Sequence, residues 1–196
     1  MSQKAFDQFI NRLSSFLPLT QEEVALLHQC IPTRTLEKGD FLIKAGDISK
    51  SFFYNASGFV RLFYLIEGEE KTAYFYGEGT FISAYSSFIK QTPCSFFLQT
   101  TENTEVAVIS VEASEALLAH SPKFEKLARI AMEEEMVSLQ EIIGSLLTLS
   151  PEKRYLELLE RNPEIFQRVP QMQIASFLGV KPESLSRIKK RSMERS

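Results

Sequence analysis

The chain has 196 residues, 44% hydrophobic and 24% charged, with a formal net charge of −3. That length permits one large or two modest domains with a proper core, and the composition is ordinary for a globular protein. Two cysteines, Cys30 and Cys94, fall short of the four thiolates of an iron–sulfur cluster, and His28 and His120 do not cluster with them into a zinc set.

Residues Ala5 to Leu17 place Phe6, Phe9, Ile10, Leu13, Phe16 and Leu17 at helical spacing. Thr20 with Glu23 three residues later forms a capping box that opens a second helix, Val24 to Cys30. From Pro32 the texture changes. Gly39-Asp40, Gly46-Asp47, Ser57-Gly58, Glu67-Gly68 and Gly77-Glu78-Gly79 punctuate β-rich runs such as Phe59 to Ile66 and Thr72 to Tyr76. Phe97 to Thr101 and Glu105 to Ser110 complete them, so an antiparallel β-roll of the jelly-roll kind is expected from about Thr33 to Val111. The aromatics Phe52, Phe53, Phe63, Tyr74, Phe75, Tyr85, Phe88, Phe96 and Phe97 all fall in this region; they could line an apolar pocket, but core filling is the favoured expectation.

Helix returns at Glu112 to Ala119, and Ser121-Pro122 starts a long helix reaching about Leu149. Met132, Met136, Leu139, Ile143 and Leu146 follow 4-3-4-3 spacing, a coiled-coil seam over two heptads. A helix of about 28 residues extends roughly 42 Å, longer than a small domain needs. Self-pairing across a two-fold axis is therefore expected. Ser150-Pro151 marks a hinge, and Pro151 to Asn162 forms the first helix beyond it.

Residues Gln171 to Lys190 are the most informative segment. Ile174, Ala175 and Leu178 make the inner stripe of a short helix, and Gly179 supplies the residue a sharp turn needs. Val180 can plug the corner, Pro182 suits the first turn of a second helix, and Leu185 and Ile188 face back to the core. This is a helix-turn-helix, or an αα-corner that touches nothing. Charge favours the first. Pro151 to Ser196 carries ten Lys and Arg against six Asp and Glu, whereas the rest carries twelve against nineteen. The run Lys189-Lys190-Arg191 with Arg195 extends the second helix, which fits a polyanion partner.

A β-roll, a long helix and a C-terminal helix-turn-helix, in that order, resemble the Crp/Fnr family of bacterial transcription regulators. Arg154 to Glu160, Gln167 to Pro170, Ile174 to Gly179 and Glu183 to Ile188 look like the Bacteroidetes-type branch, and Gly79 to Ser83 matches the family's roll more loosely. The resemblance implies a homodimer paired through the long helix, double-stranded DNA as partner, RNA polymerase as a further one, and a small-molecule effector of unknown identity in the roll. It also implies that the second helix of the motif enters the major groove, with Lys181, Glu183, Ser184, Ser186, Arg187, Lys189 and Lys190 as DNA-binding residues.

Cyclic-nucleotide-binding members of that family carry a Gly-Glu pair for the ribose and, about ten residues later, an Arg for the phosphate, followed by Ser or Thr. Aligned on Phe81 and Ile82, the pair falls on Ser83 and Ala84, and the arginine on Cys94, followed by Ser95. The effector pocket would lie at Ser83, Ala84, Tyr85, Cys94 and Ser95. Gly77-Glu78 lies too early to be the pair, and only Lys90 offers a cation. A phosphate without a cation opposite it is poorly held, so cyclic nucleotide binding is expected to be lost. The family's β-hairpin wing is reduced to Phe166 to Pro170.

The expected fold is α+β: a roll with N-terminal helices over residues 1–120, a dimerisation helix over 121–149 and a helix-turn-helix domain with minimal wing over 150–196. The expected function is a homodimeric, sequence-specific DNA-binding transcription regulator that does not respond to cyclic nucleotides. The alternative is a ligand- or protein-binding sensor module with a vestigial helix-turn-helix. No signal-peptide pattern, no membrane span and no catalytic motif is read from the sequence, so a cytoplasmic, non-enzymatic protein without cofactor or metal is expected.

Overall fold

The computed structural model describes residues 2–193, so Arg195 lies outside the described residues. Two helices open the chain, α1 (Gln3–Phe16) and α2 (Gln21–Cys30). The Thr20 capping box forms as expected: its hydroxyl accepts from the Glu23 N–H, and the Glu23 carboxylate accepts from the Thr20 N–H.

Among the described residues eight strands follow: β1 (Thr33–Leu36), β2 (Phe41–Ile43), β3 (Ser51–Ser57), β4 (Val60–Ile66), β5 (Glu69–Tyr76), β6 (Phe81–Ile82), β7 (Phe97–Thr100) and β8 (Thr104–Ser110). They form two antiparallel four-stranded sheets, ordered β1-β8-β3-β6 and β2-β7-β4-β5. The expected antiparallel roll is present. β5 begins three residues earlier than its apolar run, because Glu69 pairs with Ile66 across a two-residue turn. In that turn Glu67 (φ 53°) and Gly68 (φ 82°) both take the left-handed conformation of a primed hairpin.

Side chains alternate into the space between the sheets. Leu36, Phe53, Ile82 and Val106 from one sheet meet Ile43, Val60 and Leu98 from the other. The outer face of the first sheet, with Tyr54, Ala107 and Ile109, is covered by Phe6, Phe9 and Leu13 of α1. A short helix, α3 (Tyr85–Lys90), interrupts the roll after β6. It was not legible as a helix, since six residues are too few to show a helical period.

After the roll come α4 (Val111–His120) and the long α5 (Pro122–Thr148), capped by the Ser121 hydroxyl with Pro122 in its first turn. Only Phe124 and Leu127, near its start, are buried. Beyond Ser150 stand α6 (Pro151–Arg161), a single turn α7 (Ile165–Arg168), α8 (Gln171–Phe177) and α9 (Pro182–Met193). α7 occupies the segment expected to remain as a reduced wing. Tyr155, Ile165, Val169, Ile174, Leu178, Leu185 and Ile188 form a separate small core, which also takes in Phe59 from the roll. The terminal helices therefore pack against the roll as well as against each other.

Candidate nucleic-acid interface

α8 and α9 are joined by Leu178 to Lys181, and Gly179 adopts φ 67° at the corner. The Val180 N–H donates to the Ala175 carbonyl, which closes the turn. Leu185 and Ile188 are buried one helical turn apart, so the remaining faces of α9 look outward. Lys181, Glu183, Ser186, Arg187, Lys189 and Lys190 are exposed, and Ser184 is half-buried. All seven residues named from the resemblance thus lie on one helix and the turn leading into it. The Arg187 guanidinium donates to the Ser184 hydroxyl at 3.1 Å, while the Ser186 hydroxyl donates to the Pro182 carbonyl and accepts from Gln171 of α8. These bonds preset the side chains in the middle of the helix, whose lysines are exposed.

The seam residues of α5 are uncovered in the single chain. Met132 is 43% exposed, Met136 60%, Leu139 43%, Ile143 56% and Leu146 48%. Apolar side chains at this spacing on one long helix form a continuous unpartnered stripe.

The five residues aligned with the family's nucleotide loop separate. Ala84 and Cys94 are buried in the inter-sheet core with Ile82 and Leu98, whereas Tyr85 and Ser95 face outward and Ser83 is half-buried. Burial pushes the Cys94 thiol up, and its Sγ donates to the Phe96 carbonyl at 3.4 Å. Core packing fills the positions where a ribose and a phosphate would need charged partners.

Two cavities lie against α5. One of about 510 Å³ is lined by Arg12, Tyr74, Thr80, Phe81, Glu135 and Ser138, and a smaller one of about 190 Å³ by Tyr74, Phe75, Ile142, Arg154 and Phe177. Glu135, in the wall of the larger, accepts at 3.2 Å from the hydroxyl of the buried Tyr76 behind it. Burial raises the Glu135 carboxyl above its ordinary value, opposed by that hydrogen bond. Burial, with Glu135 adding to it, pushes the Tyr74 hydroxyl up to about 12. Arg12, the cation at this cavity, is taken by Glu134 at 2.6 Å. The smaller cavity carries two arginines in its lining, Arg154 and Arg161. Of the aromatics weighed as core or pocket lining, Tyr74 and Phe75 line these cavities.

Contacts that the sequence does not reveal fasten the terminal helices to the roll. Arg168 of α7 pairs with Glu78 and Glu102, both at 2.7 Å. The Ser176 hydroxyl accepts from the Thr72 N–H and donates to the Glu70 carbonyl, and Phe75 meets Phe177 edge-on. No spacing rule connects residues so far apart in the chain. Glu78 is one half of the misplaced Gly-Glu pair, and its partner is a protein guanidinium. Among the described residues no cluster of His, Cys, Asp and Glu could hold a metal ion, and no helix is long and apolar enough to cross a membrane.

Comparison with known proteins agrees with this architecture. Residues 33–121 match the family model of the cyclic nucleotide-binding domain. No curated protein matches the chain by sequence. Among solved structures the chain is similar to CLP of Xanthomonas campestris, described as a c-di-GMP-responsive global regulator, with 20% identity, 88% of this chain and 91% of that one covered, and a TM-score of 0.69. It is similar to the catabolite activator protein of Thermus thermophilus at 23% identity, with 94% and 87% covered and a TM-score of 0.53. It is also similar to FixK2 of Bradyrhizobium japonicum at 14% identity, with 84% and 85% covered and a TM-score of 0.68. The chain shares the fold of these Crp/Fnr regulators over most of its length, and its roll carries the pattern of the cyclic nucleotide-binding domain.

Proposed function

We propose that this protein is a homodimeric, sequence-specific DNA-binding transcription regulator of the Crp/Fnr type, from the branch its terminal motifs resemble. The observation that carries the reading is the division of α9: Leu185 and Ile188 are buried, while Lys181, Glu183, Arg187, Lys189 and Lys190 stand in solvent. A helix of 12 residues with a polar, basic outer face, set on a tight turn after a shorter helix, has the form that docks in a major groove. The exposed stripe on α5 supports pairing of two such chains, since two half-sites need two motifs about a two-fold axis.

The roll, on this reading, does not answer to cyclic nucleotides. Ala84 and Cys94 stand where the ribose and phosphate partners would be, and neither carries charge. The sensor-module alternative would leave α9 with an apolar or random polar outer face, and the basic face does not favour it.

Selection of bound duplexes from a random library tests the proposal. Enrichment of a sequence with two related half-sites is expected. Recovery of no enriched sequence overturns it.

A further inference from the structure

We infer that Arg168 is a positioning residue that sets how far apart the two DNA half-sites must lie, an inference that rests on the DNA-binding reading above. In a dimer the separation and tilt of the two α9 helices follow from how each terminal unit sits relative to α5 and the roll. The covalent link between α5 and α6 is only Leu149 and Ser150. Orientation must therefore be held by contacts: Ser176 and Phe177 of α8 meet β5, and Arg168 reaches two separate turns of the roll.

Its guanidinium faces three carboxylates. Nη2 lies 2.7 Å from both Glu78 and Glu102, Nε donates to Glu102 at 3.0 Å, and Nη1 donates to Glu164 on its own segment at 2.9 Å. The same guanidinium lies over the Phe59 ring, 4.6 Å from its centroid. Glu78 is itself held, because its carboxylate accepts from the Gly58 N–H at 2.9 Å. Both roll carboxylates sit in tight connections, Glu78 between β5 and β6 and Glu102 between β7 and β8.

A single exposed ion pair orders little, because solvent screening and side-chain entropy cancel most of its gain. A planar fork shared by two carboxylates from separate turns, stacked on a ring and anchored to backbone, fixes direction as well as distance. The contacts use α7 and the end of α8 and leave the outer face of α9 exposed. Docking therefore presents that face at a set angle. Without Arg168 the motif keeps its own core of Ile174, Leu178, Leu185 and Ile188, so one half-site is still read. What is lost is the register between two.

The test uses the full-length protein and three duplexes built from the sequence selected by the wild type. One keeps the selected spacing, one inserts five base pairs between half-sites, and one carries a single half-site. Half a helical turn is about 5 base pairs, so the insertion points the second half-site away. The wild type should prefer the selected spacing strongly. Arg168→Ala should cut that preference by about tenfold, the size of a typical coupling between two sites, and leave single half-site binding unchanged. Arg168→Lys should restore part of it, and Glu78→Gln combined with Glu102→Gln should reproduce the loss. A well-folded Arg168→Ala that keeps the full spacing preference overturns the inference; if that variant melts early, Glu102→Gln decides in the same way. If the wild type binds none of the three duplexes, the DNA reading falls first and the inference with it.

Discussion

Arg154 donates from Nη2 to the Leu178 carbonyl at 2.7 Å and from Nη1 to the Leu149 carbonyl at 2.8 Å. Leu149 closes α5 and Leu178 closes α8, so one guanidinium satisfies the ends of two helices and places its charge at the negative end of both dipoles. The turn at Gly179 approaches the same group closely: a Cβ there would stand 3.5 Å from Nη2.

Removing that guanidinium should loosen the terminal core and its link to α5 together. Arg154→Ala is expected to cost about 1–3 kcal/mol, the range for losing hydrogen bonds made by a charged donor. Arg154→Lys should recover only part, because a single ammonium nitrogen lacks the spread, planar donors that reach both carbonyls. Urea denaturation measures both, and an unchanged midpoint for Arg154→Ala would show that water replaces the lost bonds.

The stripe on α5 makes a second expectation. Leu139→Asp combined with Ile143→Asp should leave a monomer in sedimentation and abolish binding to a two-half-site duplex, because a desolvated unpaired charge in an apolar seam is costly, on the order of several kcal/mol. The two side chains are exposed in the single chain, so the variant should fold with near-native stability. A wild type that is monomeric at micromolar concentration refutes the seam.

Cyclic AMP and cyclic GMP should give no saturable heat in calorimetry at millimolar concentration, and neither should change DNA affinity. Ala84 and Cys94 are only 1% and 6% exposed, so a ligand would have to displace core packing and would find no cation there. Ala84→Glu with Cys94→Arg puts both charges back, at the expense of the contacts to Ile82 and Leu98. A micromolar dissociation constant for the unmodified protein would mean that the loop holds its ligand through other groups, with Lys90 the first to examine.

Local chemistry made most of the elements legible. The Thr20 and Glu23 pair, the Ser121-Pro122 start and the Gly179 corner each rest on residues within four positions of one another, and each stands where the sequence placed it. The roll was read from turn glycines alternating with apolar runs, another short-range signal. What stayed hidden depends on distant residues. Arg168 meets Glu78 and Glu102, and Tyr76 meets Glu135, only because the roll folds back against α5 and the terminal helices. In the sequence Glu78 suggested a displaced ligand-binding pair. In the structure it is an anchor for the terminal unit.

The candidate DNA residues divide by what they could reach. Arg187 sits in the middle of α9, one position before the buried Ile188, and its guanidinium is already held by Ser184. A forked donor there suits the two acceptors on a guanine edge, with Glu183 accepting from a cytosine amino group. Lys181, Ser186, Lys189 and Lys190 are expected mainly to hold phosphates. Arg187→Ala should therefore cost about 1–3 kcal/mol on the selected duplex and relax the preference at one base position, with little change on unrelated DNA. Lys189→Ala should weaken every duplex alike and reduce the dependence of binding on salt by about one counterion per motif. Titrations of both variants against selected and scrambled duplexes at several salt concentrations separate the two roles. Equal losses on both duplexes for Arg187→Ala would move that residue to the phosphate backbone and leave the base reading to Glu183 and Ser184.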